Sequence, residues 1–496
     1  MTKTRQAGLN NTIISYIGVF LGYLNVAILF PKFFAPEDLG LRSVLMEFSA
    51  VLAQFSLFGF TGAVNKFFPF YREKPEAVKR FLAFIFIIPL VGFLLISGLT
   101  LAFREQLFLQ YEKTSPLIYD FYFLIFPITA FMLYTAILEI YSAFFNPVVA
   151  TILRDVILRL CSTVLIFLYV FDFISLELFW YLFAGSYGLN LLFIIIYLRL
   201  IGQLKLSISF PLIEKEMLKP IFSFTIFGFL LGTASSFILK LDTIMIVYIT
   251  KDLSAAGIYA LALYMASLVE IPKRALGQVT NPLLSTAFRD NDMETIKSLY
   301  HKLCLNQLIA GGFIFLLLAV NINEIFGMIP KSEVYSLGKY ALLILGASKL
   351  IDLSTGNNGE IINYSSYYKK GFIIILIVIA VAVILNLILI PSMGITGAAL
   401  ATMGAFAVFN IIKFVFILLK FKLQPFTGKN LIVVFIAALT YFILQFIPLT
   451  NNPIIDIIIK SILVFLLFLL PVLYFKISED LNKIVTGLLF SKRKNR

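Results

Sequence analysis

Long apolar runs alternate with short polar breaks along the whole chain, and each run is about as long as a bilayer is thick. A helix needs about 20 mostly apolar residues to cross the hydrocarbon core. The runs fall at about 13–30, 40–60, 81–103, 117–144, 148–170 and 176–200. A polar stretch at 201–219 follows, with Lys205, Lys215 and Lys219. Six more runs lie at about 220–249, 255–288, 303–329, 337–365, 371–390 and 395–419, then two at 431–447 and 454–475. The pattern predicts an all-α polytopic membrane protein of about fourteen transmembrane helices, arranged six, six and two. It divides the chain into an N-lobe at 1–200, a cytoplasmic linker at 201–219 and a C-lobe at 220–420. Residues 421–496 then hold the last two helices and a basic cytoplasmic tail. The first run is longer than the 7–15-residue core of a signal peptide and lacks a convincing small-residue cleavage site, so it reads as a retained helix.

Composition narrows the class. The 496 residues are 60% hydrophobic and 14% charged, with a mean hydropathy of +0.97. A soluble domain carries about 25% charged residues. The net charge of +13 would suit nucleic acid, but its distribution does not, because Lys and Arg sit mainly in short loops between apolar runs. With the N-terminus inside, the outside loops hold only Lys32, Arg104, Lys113, Lys251 and Lys331, while most of the 40 Lys and Arg lie on the inner side. Basic loops belong in the cytoplasm, so both termini are expected there. Two cysteines, Cys161 and Cys304, imply no disulfide framework. One histidine, His301, leaves almost no ligands for metal chemistry.

A faint internal repeat pairs Leu39–Leu45 with Ala256–Ala262, each opening a span after a short turn. Both would enter from the same side, which is a parallel repeat about an axis normal to the membrane.

Charges inside the apolar runs are the candidates for chemistry, since each costs about 2.5–3.5 kcal/mol at bilayer depth and usually faces a partner or a wet cavity. Lys240 and Asp242 lie in the seventh run; Glu270, Lys273 and Arg274 lie in the eighth. Glu270 precedes Lys273 and Arg274 by three and four residues, so the three share a helical face, which Gln278 and Asn281 continue. This is either an ion pair knitting helices or an anion site, and two cations against one acid favour the second. Pro272 interrupts the helical ladder nearby. In the tenth run Lys349, Asp352, Gly356, Glu360 and Asn363 fall on one face, around the sequence Gly356-Asn357-Asn358-Gly359. That is a poor helix, and irregular backbone at membrane depth belongs inside protein or beside water; close helix packing at the glycines is the alternative. Arg42, Glu47, Glu139, Arg154, Asp155 and Arg159 are weaker candidates, the pair Asp155 and Arg159 being spaced for an i,i+4 contact.

The chain carries no P-loop, no HExxH and no Gly-x-Ser-x-Gly, and its largest outside loop, about 104–116, is small. A membrane enzyme of glycan assembly would be expected to carry more outside the bilayer. A secondary transporter or flippase needs only helices, hinges and a site near the midplane.

The stretches Asn25–Gly40, Lys240–Asp242 with Gly257–Tyr259, Ser354–Ile362 and Ile390–Thr402 resemble bacterial polysaccharide-export proteins. These are the O-antigen-type flippases of the multidrug/oligosaccharidyl-lipid/polysaccharide (MOP) superfamily. The resemblance covers nearly the whole chain. It implies two six-helix lobes about a central cavity, a MATE-like fold and alternating access in the bacterial plasma membrane. The cargo it implies is an undecaprenyl-pyrophosphate-linked glycan unit of O-antigen, capsule or exopolysaccharide, moved from the inner to the outer leaflet. Many such flippases have twelve helices; in the lipid II flippase branch two extra helices form a groove for the lipid tail. A glycan polymerase is a protein partner consistent with this reading, and no cofactor beyond Na⁺ or H⁺ coupling is expected.

The residue types fit that cargo. A pyrophosphate leaving water needs cations where the dielectric is low. Lys240, Lys273, Arg274, Arg42 and Lys349 are the candidates, arginine binding phosphate oxygens bidentately and lysine as a point charge. Gln278, Asn281, Asn357 and Asn358 can hydrogen-bond sugars, and Asp242, Glu270, Asp352 and Glu360 are the cavity acids and coupling-ion candidates. The rival readings are a cation-coupled multidrug exporter of the same superfamily, which should have an acidic or aromatic cavity, and a membrane enzyme of glycan assembly.

Overall fold

Residues 14, 17–72, 74–108, 115–204, 213–447, 450 and 452–482 are described by a computed structural model; they fold almost entirely into helices, with no strand among them. The N-terminal residues 1–13, the basic tail 483–496 and residues 205–212 of the expected linker lie outside the described residues. Among the described residues, eight helices are long and apolar enough to cross a membrane, or nine if one bent pair counts as a single span. The chain forms two compact units, 1–260 and 261–496.

The first unit begins with α1 (Ile17–Phe33), followed by the bent pair α2 (Pro36–Leu57) and α3 (Phe60–Tyr71), which meet at 45°. Pro36 opens α2, where its missing N–H costs nothing. The Asp38 carboxylate accepts from the Ala35 N–H at 2.9 Å and fixes the start. Next come α4 (Pro75–Ala102), α5 (Pro116–Ala143), α6 (147–170), α7 (Leu176–Leu200) and α8 (Lys215–Thr250). Phe60, Phe68, Phe81 and Tyr141 are buried together in the core of this unit. A π turn at Leu24–Leu29 in α1 holds Asn25, whose amide donates to the Arg159 carbonyl at 2.8 Å and accepts from Thr163 at 2.8 Å. Arg159 donates to the backbone carbonyl of Asp155 at 2.9 Å, so the expected i,i+4 contact reaches the main chain; the Arg154 side chain lies outside the described part.

The internal repeat has a physical counterpart here. α9 (Leu253–Ala266) starts against the start of α2. A Cβ on Gly40 would lie 2.0 Å from the Leu253 carbonyl oxygen, and one on Gly257 would lie 2.2 Å from the Pro36 carbonyl oxygen. In the repeat, Gly40 matches Gly257 and Pro36 matches Leu253. The contact is therefore reciprocal, as a two-fold relation between the stretches requires, and only residues without a Cβ allow it.

The second unit contains α10 (Ile271–Arg289), α11 (Met293–Val320), α12 (Ile322–Met328), α13 (Ser332–Ser354) and α14 (Asn358–Tyr364). It ends with α15 (Tyr368–Phe421), α16 (Gly428–Leu444) and α17 (Pro453–Tyr474). α15 has 54 residues and would be about 80 Å long if straight, against a hydrocarbon core of about 30 Å. It is not straight. Gly394 takes φ 56 and ψ −131, beyond Pro391, and a Cβ on Gly404 would touch Leu385 at 2.9 Å. Nineteen helical residues would separate two such positions by about 28 Å. α15 is thus a hairpin, and it accounts for two of the expected helices.

Candidate functional site

The site is built where α10, α13, α14 and α15 meet. A 3-10 turn at Ser267–Glu270 precedes α10, whose second residue is Pro272. The proline sits where a helix tolerates it, and a fresh helix starts there. Glu270, Lys273 and Arg274 then share a face. On α13, Lys349 and Asp352 are three apart and face them. The two helices exchange ion pairs of alternating sign: Lys349 reaches Glu270 at 2.9 Å, and Lys273 bonds Asp352. Arg274 stands 3.4 Å from the other oxygen of Glu270.

Beyond Ser354 the helix breaks, as the Gly-Asn-Asn-Gly sequence leads one to expect. Gly356 adopts φ +63 against the backbone of Cys304, whose thiol donates to the Ser354 carbonyl at 2.7 Å. The break turns polar side chains inward. Asn357 donates to Asn281 at 3.2 Å and accepts from Gln307 at 2.8 Å. Asn358 and Thr355 both donate to the side-chain oxygen of Asn410 in α15, at 3.2 and 2.9 Å. Helix ends at membrane depth must satisfy their polar groups inside the protein, and this amide network does so.

A cavity of about 370 Å³ opens on these elements, lined by Glu270, Lys273, Arg274, Gly277, Asn281, Asn357 and Glu360. Its two cations are Arg274, whose side chain is 70% exposed, and Lys273, 24%; the neighbouring Lys349, the third cation here, is 3% exposed and fixed under Glu270. The first two are available to an anion; the third holds a carboxylate in place. Asp352 is buried behind Lys273, and Asn358 faces Asn410, away from the cavity lining. Glu360 lines the cavity without an ion pair among the described residues. The Gln278 side chain lies outside the described part.

The remaining candidates belong to residues 1–260. Lys240 pairs with Glu47 at 2.9 Å, and Asp242, buried, accepts from the Tyr259 hydroxyl at 2.7 Å. The Arg42 guanidinium lies 5.4 Å from the ring centroid of Phe30 and 5.9 Å from that of Phe183, within cation–π range. Each of these two residues of α8, Lys240 and Asp242, thus pairs with another helix, Lys240 with α2 and Asp242 with α9.

Sequence reasoning missed Lys413, Asn410 and Gln307. Lys413 is buried in the second arm of α15, its Nζ 3.9 Å from the Asp352 oxygen that is not bonded to Lys273. A lysine inside the apolar run 395–419 was a legible signal. Asn410 and Gln307 are neutral and carry no such signal. With Lys413 counted, Lys273, Arg274, Lys349 and Lys413 face Glu270, Asp352 and Glu360. The cluster has one cation in excess.

No family model matches the chain. A probable low-salt glycan biosynthesis flippase, Agl15 of Haloferax volcanii, is 24% identical over 215 residues, 42% of this chain and 44% of that protein. The match thus spans less than half the length of the curated relative. Among solved structures, the lipid II flippase MurJ in an inward closed conformation has a TM-score of 0.72 at 17% identity, covering 95% of this chain and 99% of its own. An inward-facing multidrug resistance MATE family transporter of the MOP superfamily has a TM-score of 0.58 at 15% identity, covering 86% and 95%. The fold is that of MurJ and the MATE transporters. These relatives are flippases and transporters, not enzymes.

Proposed function

We propose that the protein is a flippase for lipid-linked oligosaccharides, moving an undecaprenyl-pyrophosphate-linked glycan unit between leaflets of the bacterial plasma membrane by alternating access. The observation that carries this reading is the cavity in which Lys273 and Arg274 stand beside Asn281 and Asn357. Cations meet a diphosphate where water is scarce, and amides meet sugar hydroxyls. The relatives named a glycan biosynthesis flippase and a lipid II flippase support the cargo class. An O-antigen or capsule repeat is the cargo the sequence resemblance favours, with both termini cytoplasmic and a polymerase acting on the delivered unit. A second cavity, about 500 Å³ and almost wholly apolar, is lined by α11, α13 and α16 with Phe468 of α17. It suits a polyprenyl tail, which gives the last two helices a role. Glu360, unpaired among the described residues, is the best-placed acid for a coupling proton or sodium ion, with Asp242 and Asp352 as the others.

The MATE fold also admits an exporter of cationic drugs. The surplus cation of the surrounding cluster disfavours it, because like charges repel in low dielectric.

The test is charge reversal, Lys273→Glu and Arg274→Glu, scored by surface glycan and by lipid-linked precursor. Precursor is expected to accumulate on the inner leaflet at normal protein levels, with surface glycan falling at least tenfold. Unchanged surface glycan in both variants would refute the site. If deletion of the gene leaves the glycan intact and lowers drug tolerance, the exporter reading replaces this one.

A further inference from the structure

Asp352 is the one carboxylate of the cluster that touches two lysines. Lys273 bonds its Oδ2, and Lys413 waits 3.9 Å from its Oδ1. The lysines differ in what else they reach. Lys273 lines the cavity; Lys413 does not, and its ammonium lies 3.6 Å from the centroid of the Phe409 ring, inside the protein. At 3.9 Å it is beyond hydrogen-bonding distance yet needs to move only about 1 Å to gain it.

Anything anionic that enters the cavity competes with Asp352 for Lys273. If Lys273 turned to a phosphate with nothing behind it, a buried carboxylate would lose its bonded cation, which is among the costliest events in a protein interior. We propose that Lys413 is the exchange partner of Asp352: as a diphosphate draws Lys273 into the cavity, Lys413 closes onto the vacated carboxylate. The exchange rests on the flippase reading above and deepens it. Lys413 touches no cargo; it is a positioning residue that acts through Asp352. When the diphosphate leaves, Lys273 returns and Lys413 relaxes onto Phe409. The cluster thus holds and releases an anion without ever stranding a buried charge, which explains a second lysine on a carboxylate already satisfied.

The experiment measures affinity for undecaprenyl pyrophosphate in the full-length protein in nanodiscs, together with thermal stability of the unloaded protein. Lys413→Met is expected to weaken binding about tenfold while the unloaded protein keeps its melting temperature, because Lys273 still bonds Asp352. Lys413→Arg should restore affinity to within threefold. The deciding measurement is the same Lys413→Met change made in an Asp352→Asn background, where no carboxylate needs a second cation. There its effect should shrink below twofold, which a packing role on Phe409 would not produce. It also serves if Lys413→Met alone folds poorly, since the neutral pair leaves no buried charge. An equal loss in both backgrounds, or none in either, overturns the exchange. Failure of the flippase reading looks different: Lys273→Met and Arg274→Met would then bind as tightly as the native protein.

Discussion

Two ionic contacts within residues 261–496 make opposite use of the same chemistry. Lys460 of α17 reaches Glu324 of α12 at 2.7 Å and donates to the Val320 carbonyl at 3.2 Å; both side chains are buried. It is one cation for one acid, and the ammonium also sits at the C-terminal end of α11, where the helix dipole welcomes positive charge. Around Asp352, by contrast, four cations share three carboxylates, and the group opens on a cavity. A matched, closed pair is a fastener: it holds the last helix to the unit and offers nothing to a ligand. An unmatched, open cluster leaves charge to be satisfied by something else. Charge at membrane depth is therefore not by itself the mark of a site; imbalance beside a cavity is.

The sharpest way to break the contrast is to unbalance the fastener. Glu324→Ala leaves Lys460 buried without its carboxylate and should cost about 3–5 kcal/mol, read as a loss of thermal stability in detergent. The paired change Glu324→Leu with Lys460→Met should regain most of it, since apolar side chains suit the surroundings. Changing the cluster should act on binding more than on folding. Asp352→Asn frees Lys273 for an anion, and affinity for undecaprenyl pyrophosphate should rise about five- to tenfold, or about 1–1.4 kcal/mol, while glycan translocation slows because release is impaired. A fall in affinity would mean that Asp352 positions Lys273 rather than competing for it. Gly356→Ala at the helix break should act on stability alone. A left-handed conformation costs a residue with a Cβ about 1–2 kcal/mol. The new methyl would also press on Cys304 at 3.2 Å, so a melting temperature lowered by a few degrees is the expected readout.

Much of this was legible in the chain. The helical hairpin of α15 stood out as two apolar runs flanking Pro391 and Gly394, and the break after Ser354 followed from four poor helix formers in a row. The face shared by Glu270, Lys273 and Arg274 is simple i,i+3 and i,i+4 geometry. Pairing between helices was not legible, because spacing along one helix says nothing about which neighbour it meets. Lys273 and Arg274 therefore read as two cations on one acid, whereas Lys273 belongs to Asp352 and Glu270 is held by Lys349. Lys349, a candidate for the anion, is buried against Glu270. The pair Lys460 and Glu324 was overlooked for a related reason: each sits in an apolar run with its partner far along the sequence.

The hairpin of α15 also bears on how the chain is made. From Gly371 to Ile412 it contains no charged residue; Lys369 and Lys370 precede that stretch, and Lys413, Lys420 and, just past the helix, Lys422 follow it. Insertion machinery that reads orientation from Lys and Arg meets a signal there only at the outset and at the finish, and both signals name the same side. The two arms are thus suited to enter the bilayer as one unit, folded back at Gly394 before the second arm is released. Their partner contacts, including those of Asn410 and Lys413, would then form only after the hairpin is already in place.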